Sequence, residues 1–500
     1  MILLPALVPV AWFEWQTWSR LGTLGFPLDD AWIHAQFARN IAAGAGFSYN
    51  PGEWVSGSTA PAWTTLLGLG TVLLRDTVVA SKVFGVALHL LTAVLAARLT
   101  EHLVGWRPAA IVAGLVVGWT PLLTWGAVSG MEVPLAAALV LAGLLAHAEQ
   151  RRVGVSAGLL ALGALARPET LAILGLLLAD IGLRAVAGRT WRDGARQLGE
   201  ALLVSALVLA PVVALDYATL GRPLPSTFYV KSGPGIVQAL GTGDLAMARR
   251  ALLTHAPAAL WKFAEILREQ LPLLVALLPI GAVVLATATR RRVGWLMVAS
   301  LVLVPLAIGA TSPDRLKPDN ARYVPQLVAL AGVVAIVGLA PVVRFLATSR
   351  ILTAVACCLL LLPLADRVRA ASAPYAQAVG NIEQMHVVMG RWLAANTPPD
   401  ALVAVNDIGA IAYFGHRRIL DLEGLVSPEA LAYRRLGTGR GLALVEAMRP
   451  DYVVIFPTWF PDLMKATDRF TEVHRIAIVH NLVAGDSVMV AFRTEWADAR

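Results

Sequence analysis

Long apolar runs alternate with short polar loops along most of this 500-residue chain. A membrane-spanning helix needs roughly 20 apolar residues, so the shorter runs indicate tilted or broken spans. The pattern predicts a polytopic α-helical membrane protein with about 11 spans. The runs lie at residues 2–21, 80–100, 109–127, 132–148, 154–166, 169–183, 198–220, 271–288, 294–310, 323–345 and 351–366.

The arginines give the orientation, because they fall in every second loop and basic loops stay in the cytoplasm. The N-terminus is therefore expected to be cytoplasmic. The first run lacks a basic n-region and a cleavage site, which indicates a retained helix. The outer side then holds residues 28–75, 221–270 and 311–322 and everything after 366. A span at 61–74 would invert the arginine pattern, so this run is expected to lie in the outer interface.

Composition agrees with a membrane setting. The chain has 57% hydrophobic and only 15% charged residues, whereas soluble domains carry nearer a quarter charged residues. The net charge of +8 comes from the cytoplasmic arginines, so no nucleic-acid partner is expected. Cys357 and Cys358 are adjacent in an apolar run, which favours core packing over redox chemistry or metal binding.

The composition changes after residue 366, where short alternating segments predict a small extracytoplasmic α/β domain. We therefore divide the chain into a transmembrane domain, 1–366, and an outer domain, 367–500. No phosphate-binding glycine loop is found, which argues against an ATP-driven pump. The outer domain's expected elements are helices at 375–396 and near 439–448, and strands at 402–406, 418–422, 452–456, 474–480 and 487–493. Its polar residues Asn406, Asp407, His416 and Asp421 are expected in turns and caps more than in acceptor contacts.

The first outer loop opens with Asp29 and Asp30 on a predicted amphipathic helix, 28–43. Two adjacent carboxylates at the membrane edge are costly unless they have a function. Helix capping accounts for one of them but not for both. One is therefore predicted to be a catalytic base on the outer side, with Asp29 preferred. His34, one turn after Asp30, is expected to orient that carboxylate.

A second polar feature interrupts the apolar run 154–183 at Arg167-Pro168-Glu169. The residue before proline resists helical geometry, so the helix should break there. Charged residues in a broken membrane helix face a wet cavity or form a structural ion pair, and both interpretations stay open. Glu132 is expected either to pair with Arg167 or to bind an acceptor, and the pair is preferred.

Six segments resemble the GT-C superfamily of integral-membrane glycosyltransferases, and most closely its bacterial arabinofuranosyltransferase-like branch. The resemblance implies a GT-C fold, a polyprenyl-phosphate-linked sugar donor and an outer-loop Asp as base. It also places catalysis on the periplasmic or extracellular side of the inner or plasma membrane. The segments are DDAWIHAQFARNIAAGAGFSYNPGEWVSGSTAPAW (29–63), SGMEVPL (129–135), ARPE (166–169), GRPLPSTFYVKSG (221–233), ARYVPQL (321–327) and NDIGAIAYFGHRRILDLEGLVSPE (406–429).

This chemistry needs one carboxylate and several cations, because the leaving lipid phosphate is stabilised by positive charge. Lys231 is the preferred phosphate ligand, followed by Arg167, Arg322 and Arg39, although each is equally suited to a structural or lipid-headgroup contact. The acceptor is expected to be a glycan, lipid or protein. No cofactor is expected. A divalent cation is compatible with such a site, but no metal-binding motif indicates one. The expected substrate contacts are His34, Tyr49, Asn50, Ser58, Thr59, Glu132, Glu169 and Tyr229.

Two other functions fit parts of the pattern. Broken helices with buried charges also mark transporters, so a flippase of lipid-linked sugars is the main alternative. No paired half-repeats are visible, and the Asp-Asp helix is poorly placed for a substrate site at the middle of the bilayer. A polymerase or ligase of lipid-linked glycans would share the donor but transfer a larger unit.

The orientation predicts the side of the membrane that each fusion reporter meets. An alkaline phosphatase fused after residue 370 should be active, because this enzyme works only after export. A fluorescent cytoplasmic reporter at the same point should stay dark. The reverse pair of signals would show that the number of spans before residue 370 is wrong by one.

Overall fold

A computed structural model describes residues 2–187, 191–231, 235–287, 291–313, 315–346, 350–466 and 469–496. The chain is mostly helical and ends in one sheet. The helices are α1 Leu3–Leu21, α2 Asp29–Ala42, α3 Pro61–Leu74, α4 Thr77–Val104, α5 Arg107–Gly118, α6 Pro121–Val128, α7 Val133–Ala148, α8 Val153–Ala166, α9 Thr170–Ala187, α10 Trp191–Leu220, α11 Ser226–Lys231, α12 Ile236–Thr242, α13 Leu245–Arg250, α14 Ala256–Gln270, α15 Leu278–Thr287, α16 Arg291–Thr311, α17 Pro325–Leu346, α18 Arg350–Ile382, α19 Val388–Asn396, α20 Gly409–Gly415, α21 Ala430–Tyr433 and α22 Arg440–Met448. The strands are β1 Leu402–Val405, β2 Arg418–Asp421, β3 Tyr452–Ile455, β4 Phe470–Ala477 and β5 Val488–Thr494.

Three helices of the described ranges are long and apolar enough to cross a membrane: α4, α10 and most of α16. The bent pair α5 and α6, with 59° between its halves, adds a fourth if it forms one span. Shorter apolar segments include α7, α8 and residues 325–341 of α17. The expected count of about 11 spans stays a prediction.

The helices of this domain approach closely where glycine removes the side chain. A Cβ on Gly85 of α4 would lie 2.2 Å from the carbonyl oxygen of Ala127, and one on Gly281 of α15 would lie 2.1 Å from that of Val334. Small residues at such contacts let helix backbones pack at short distance, as is usual between membrane helices. Helix α17 lies among α4, α5, α7 and α15, and nearly all its residues up to 340 are buried.

The break predicted within 154–183 is present. Helix α8 ends at Ala166, Arg167 has extended backbone (φ −144°, ψ 115°), and α9 begins at Thr170. Pro168 forces this geometry on the residue before it. The expectation of core packing for the cysteine pair is wrong for Cys358, which is exposed on α18; the Cys357 side chain lies outside the described residues.

The outer sheet has the strand order β2-β1-β3-β5-β4. Strand β1 pairs in parallel with β2 and β3, and β5 is antiparallel to β3 and β4. All five strands were predicted to within a few residues. Helix α20, between β1 and β2, was not predicted, and α18 runs without interruption through residue 366.

The first outer loop is fastened to the edge of this sheet. The side chain of Asn50 accepts from the amide of Ile419 in β2 (2.9 Å) and donates to its carbonyl (3.0 Å), as a neighbouring strand would do. Farther along, Ser56 accepts from Ser226 of α11 and donates to Asp216 of α10. The loop therefore lies between the membrane helices and the outer domain, and joins them.

A substitution at Gly409 tests how tightly α20 packs on α2. A Cβ there would lie 2.1 Å from the carbonyl oxygen of Asp29, a backbone atom that cannot turn aside. We expect Gly409→Ala to destabilise the fold by about 1–3 kcal/mol and to lower the thermal midpoint in detergent. Gly415→Ala, on the same helix, is the matched control, because its Cβ would meet only ordinary contacts at 3.5 Å or more. Equal midpoints for the two variants would contradict the tight packing of α20 on α2.

Candidate active site

The Asp29 carboxylate at the start of α2 binds the N-terminus of α20. Its two oxygens accept hydrogen bonds from the amides of Gly409 (2.6 Å) and Ala410 (2.7 Å), and the residue is only 8% exposed. The first amides of a helix have no partner within that helix, so they attract a negative charge. Tyr49 of the same loop donates to the carbonyl of Ile408 (2.9 Å). The first outer loop therefore holds the start of α20 from two sides.

Two further titratable groups lie close to Asp29. His386 is buried and its Nε2 is 2.8 Å from the carboxylate of Asp407. Burial, together with the charge of Asp407, raises the pKa of Asp29 to about 7, although His386 and the two backbone amides oppose the rise. The pKa of His386 is also raised: burial lowers it, but the hydrogen bond to Asp407 and the charge of Asp29 outweigh that effect.

Asp30 has a different environment from its neighbour. Its carboxylate lies 2.8 Å from Nη2 of Arg322, and its side chain is 30% exposed. Burial alone would lower the pKa of Arg322, but the Asp30 charge raises it, so the guanidinium stays charged. The buried Nη1 of Arg322 has no hydrogen-bond partner within the described ranges. A charged donor is thus available beside a partly exposed carboxylate.

A buried ion pair fixes the backbone at Arg322. Arg167 pairs with Glu132, as expected, and donates to the carbonyl oxygen of Arg322 at 2.7 Å. Its guanidinium also lies 4.6 Å from the centre of the Tyr323 ring. Glu169 is 3.6 Å from Nε of Arg167. The broken helix thus forms the structural pair, and through it fixes the backbone at Arg322.

His34 does not orient Asp30 as expected, because both of its ring nitrogens have other partners. Nδ1 lies 2.9 Å from the hydroxyl of Thr64, and Nε2 lies 3.5 Å from Glu132. The Ser58 hydroxyl joins this group at 2.8 Å from that of Thr64. The arrangement anchors α2 to α3 and to the Glu132 loop, and the helical spacing of residues 30 and 34 gave no sign of these long-range partners.

Other predicted site residues are engaged in holding the fold. Arg39 donates to the carbonyl of Tyr413 (2.5 Å) and to Gln36, and contacts the His416 ring, so it joins α2 to α20. Tyr49 and Asn50 are used in the contacts described above. Tyr229 lies under the guanidinium of Arg222, whose carbon is 5.1 Å from the ring centre.

Two predicted residues have few described contacts. Thr59 lies half-buried in the loop between Ser58 and α3. Lys231 ends α11, and its side chain lies outside the described residues. Neither residue's expected contact with substrate is tested by this geometry.

Sequence reasoning missed several residues of the site. Asp407 was expected in a turn or cap, and its pairing with buried His386 was not foreseen. Arg315 lies 5.3 Å from the Tyr323 ring, beside Arg167 and Arg322. Asp421 does have the expected turn role, since it accepts from the amides of Glu423, Leu425 and Val426. Within the described ranges, no group of three His, Cys, Asp or Glu side chains is arranged to hold a metal ion.

Solved structures of similar fold cover nearly the whole chain. The oligosaccharyltransferase of Archaeoglobus fulgidus, in complex with Zn and sulfate, aligns with a TM-score of 0.64 at 14% identity, over 91% of this chain and 68% of that one. ArnT from Cupriavidus metallidurans, bound to undecaprenyl phosphate, aligns at 0.52 and 14% identity, over 98% and 97% of the two chains. The chain therefore shares the fold of these two structures.

Other comparisons leave the branch open. The mycobacterial arabinofuranosyltransferase AftD aligns with 100% of this chain but 40% of its own, at 17% identity and a TM-score of 0.48, too low to assign the branch. A family model described as a domain of unknown function (DUF8728) matches residues 378–495. No curated protein matches the sequence.

The environment of Asp29 predicts a pH dependence of stability. Its pKa is about 7 in the folded chain and near 3.8 in an unfolded one, so the folded state binds the proton more tightly. The stability contributed by this proton is fully present below the unfolded value and is lost as the pH rises through about 7. The thermal midpoint of the wild type, relative to Asp29→Asn, should therefore fall as the pH rises from about 4 to about 7 and level off above that. Scanning fluorimetry of both proteins checks this, and a constant difference would show an ordinary carboxyl group.

Proposed function

We propose that this protein is a glycosyltransferase that moves a single sugar from a polyprenyl-phosphate donor to an acceptor hydroxyl on the extracytoplasmic side of the membrane. The observation that carries the proposal is the pair formed by Asp30 and Arg322, a partly exposed carboxylate 2.8 Å from a guanidinium with an unpartnered buried nitrogen. The fold supports it, since GT-C structures with bound undecaprenyl phosphate or dolichol-phosphate align with most of the chain.

In the proposed reaction the acceptor hydroxyl attacks the anomeric carbon of the donor sugar. Asp30 takes the hydroxyl proton as the new glycosidic bond forms, and the bond from that carbon to the phosphate oxygen breaks. Polyprenyl phosphate leaves with the electron pair. Its growing negative charge is stabilised by Arg322, so no protonating acid is required.

The geometry favours Asp30 over Asp29 as the base, which reverses the preference drawn from the sequence. Both oxygens of Asp29 accept from backbone amides of α20, and little of its surface is accessible. A base must lie within hydrogen-bond reach of the proton that it removes. We assign Asp29 the positioning of α2, and hence of Asp30, relative to the outer domain.

The cations, like the two aspartates, are assigned either to substrate binding or to positioning. Arg322 is the proposed phosphate ligand, and Arg167 and Arg315 add positive potential around Tyr323. Arg167 acts through its hold on the Arg322 backbone, and Arg39 is assigned to the contact with α20. Lys231 remains a second candidate for the phosphate, because the resemblance and its outer position support it. Of the expected substrate contacts, Thr59 and Tyr229 remain proposals for the acceptor side.

The two carboxylates can be separated by kinetics. Asp30→Asn should lower turnover by about 10²–10⁴-fold with normal folding, since the amide keeps the size of the side chain but cannot take up the proton. Asp29→Asn should reduce turnover far less, because the amide oxygen still accepts from α20. The measurement is transfer from a radiolabelled polyprenyl-phosphate sugar by purified protein in nanodiscs, with a membrane extract of the host supplying acceptors. Arg322→Ala should raise the donor KM and lower kcat as well.

The control is Arg369→Ala, which breaks an exposed ion pair with Asp366 on α18 and should leave both constants unchanged. Wild-type turnover in Asp30→Asn, with loss in Asp29→Asn, would return the base role to Asp29. Full activity of the double variant would exclude both carboxylates as the base.

A further inference from the structure

An open cavity of about 120 Å³, whose lining residues do not include Asp30, lies between the first outer loop and the edge of the sheet. One wall is the turn that contains Asn50 and Trp54, and the other is β2 with the residues that follow it. This volume is below that of pockets that enclose a whole small ligand, roughly 300–1,000 Å³, so the cavity suits one ring of a larger ligand. The polar side chains among its lining residues are Asn50, Glu53, Arg418, Ser427 and Glu429.

Trp54 forms a flat aromatic surface at this cavity. Its side chain is 61% exposed, yet the indole rests directly on Gly46, where an added Cβ would lie 2.5 Å from the ring. A backbone bridge between Ser48 and Trp54 holds the turn that carries it. The indole is thus supported on one face by backbone and open elsewhere. The negative face of an aromatic ring attracts the C–H groups on the flat side of a sugar ring.

Charged groups lie beside this aromatic surface. Glu53 and Arg418 form an ion pair at 2.8 Å, and each side chain is at least half exposed. Asn50 donates to the second oxygen of Glu53 (3.1 Å), which fixes the carboxylate. A fixed carboxylate and a guanidinium present the acceptor and donor groups that adjacent sugar hydroxyls require.

The charge balance separates this cavity from the proposed donor site. Glu53, Glu429 and Arg418 sum to a slightly negative charge, which does not suit a phosphate. The exposed ion pair beside Trp54 does not suit lipid either, because burying it in the bilayer would remove its hydration. A neutral, hydroxyl-rich ligand matches both features.

We propose that this cavity is a carbohydrate-binding subsite, with Trp54 stacking on a sugar ring and Glu53, Arg418 and Glu429 binding its hydroxyls. The subsite would hold a glycan part of the acceptor away from the reacting hydroxyl, and in this sense it rests on the proposed function. The loop that carries Trp54 continues through Ser58 to the partners of His34, and so is joined to the helix of Asp30.

The test measures binding separately from catalysis. Full-length protein in nanodiscs is titrated with free cellotetraose, maltotetraose, mannotetraose, chitotetraose and α-1,5-arabinotetraose, observed by saturation-transfer NMR. We expect at least one tetrasaccharide to bind the wild type and to bind Trp54→Ala about tenfold or more weakly, with most affinity kept in Trp54→Phe. Trp261→Ala, which removes another exposed indole (68%) on α14, is the matched control and should bind as the wild type does.

Three outcomes would overturn the subsite. Unchanged binding in Trp54→Ala, or no binding of any tetrasaccharide by an enzyme that transfers sugar, would show that the cavity is not the binding site. Brominated lipids quench the fluorescence of tryptophans that lie in the bilayer. Stronger quenching of the wild type than of Trp54→Phe would show that the Trp54 indole lies there. Conversely, binding that depends on Trp54 in a protein without transferase activity would support the subsite and contradict the proposed function.

Discussion

The hydrogen bonds from the start of α20 to the Asp29 carboxylate hold the outer face of this protein together. Asp29 is the first residue of α2, so its position sets where that helix begins and which way Asp30 points. The same contact holds the outer domain against the first outer loop. Gly409 permits it, because no other residue lets the two backbones approach so closely. A carboxylate that caps a helix of another domain links the two units by charge as well as by packing.

A second charged contact, an ion pair, is buried among the helices. Glu132 and Arg167 form an ion pair with almost no exposure. Such pairs contribute little to stability compared with apolar residues, but removal of one partner is costly. In this protein the pair fixes the positions of other residues. The pair connects the helix break at Arg167 to the backbone of Arg322, so the position of the Arg322 cation depends on a buried side chain.

Much of the architecture was accessible from the sequence, since local patterns carry it. Short apolar runs rich in β-branched residues predicted the strands, and Pro168 predicted the helix break. Helix α20 was missed because residues 409–415 are short and apolar, and helices of that length are stabilised by packing and not by propensity. The contact of Asp29 with α20 was missed for a related reason: its partners Gly409 and Ala410 are 380 and 381 residues away. His34 shows the same limit, because helical spacing suggested Asp30 while tertiary structure supplied Thr64 and Glu132.

That separation has a consequence for biosynthesis. Ribosomes add about 5–20 residues per second, so 380 residues take roughly 20–80 s. Throughout that interval α2 has left the ribosome, but the amides that its first carboxylate binds do not yet exist. The helix that begins with Asp29 therefore lacks this partner until residues 409 and 410 have been synthesised. The contact joins an early segment of the chain to a late one, so the proposed site is completed only near the end of synthesis.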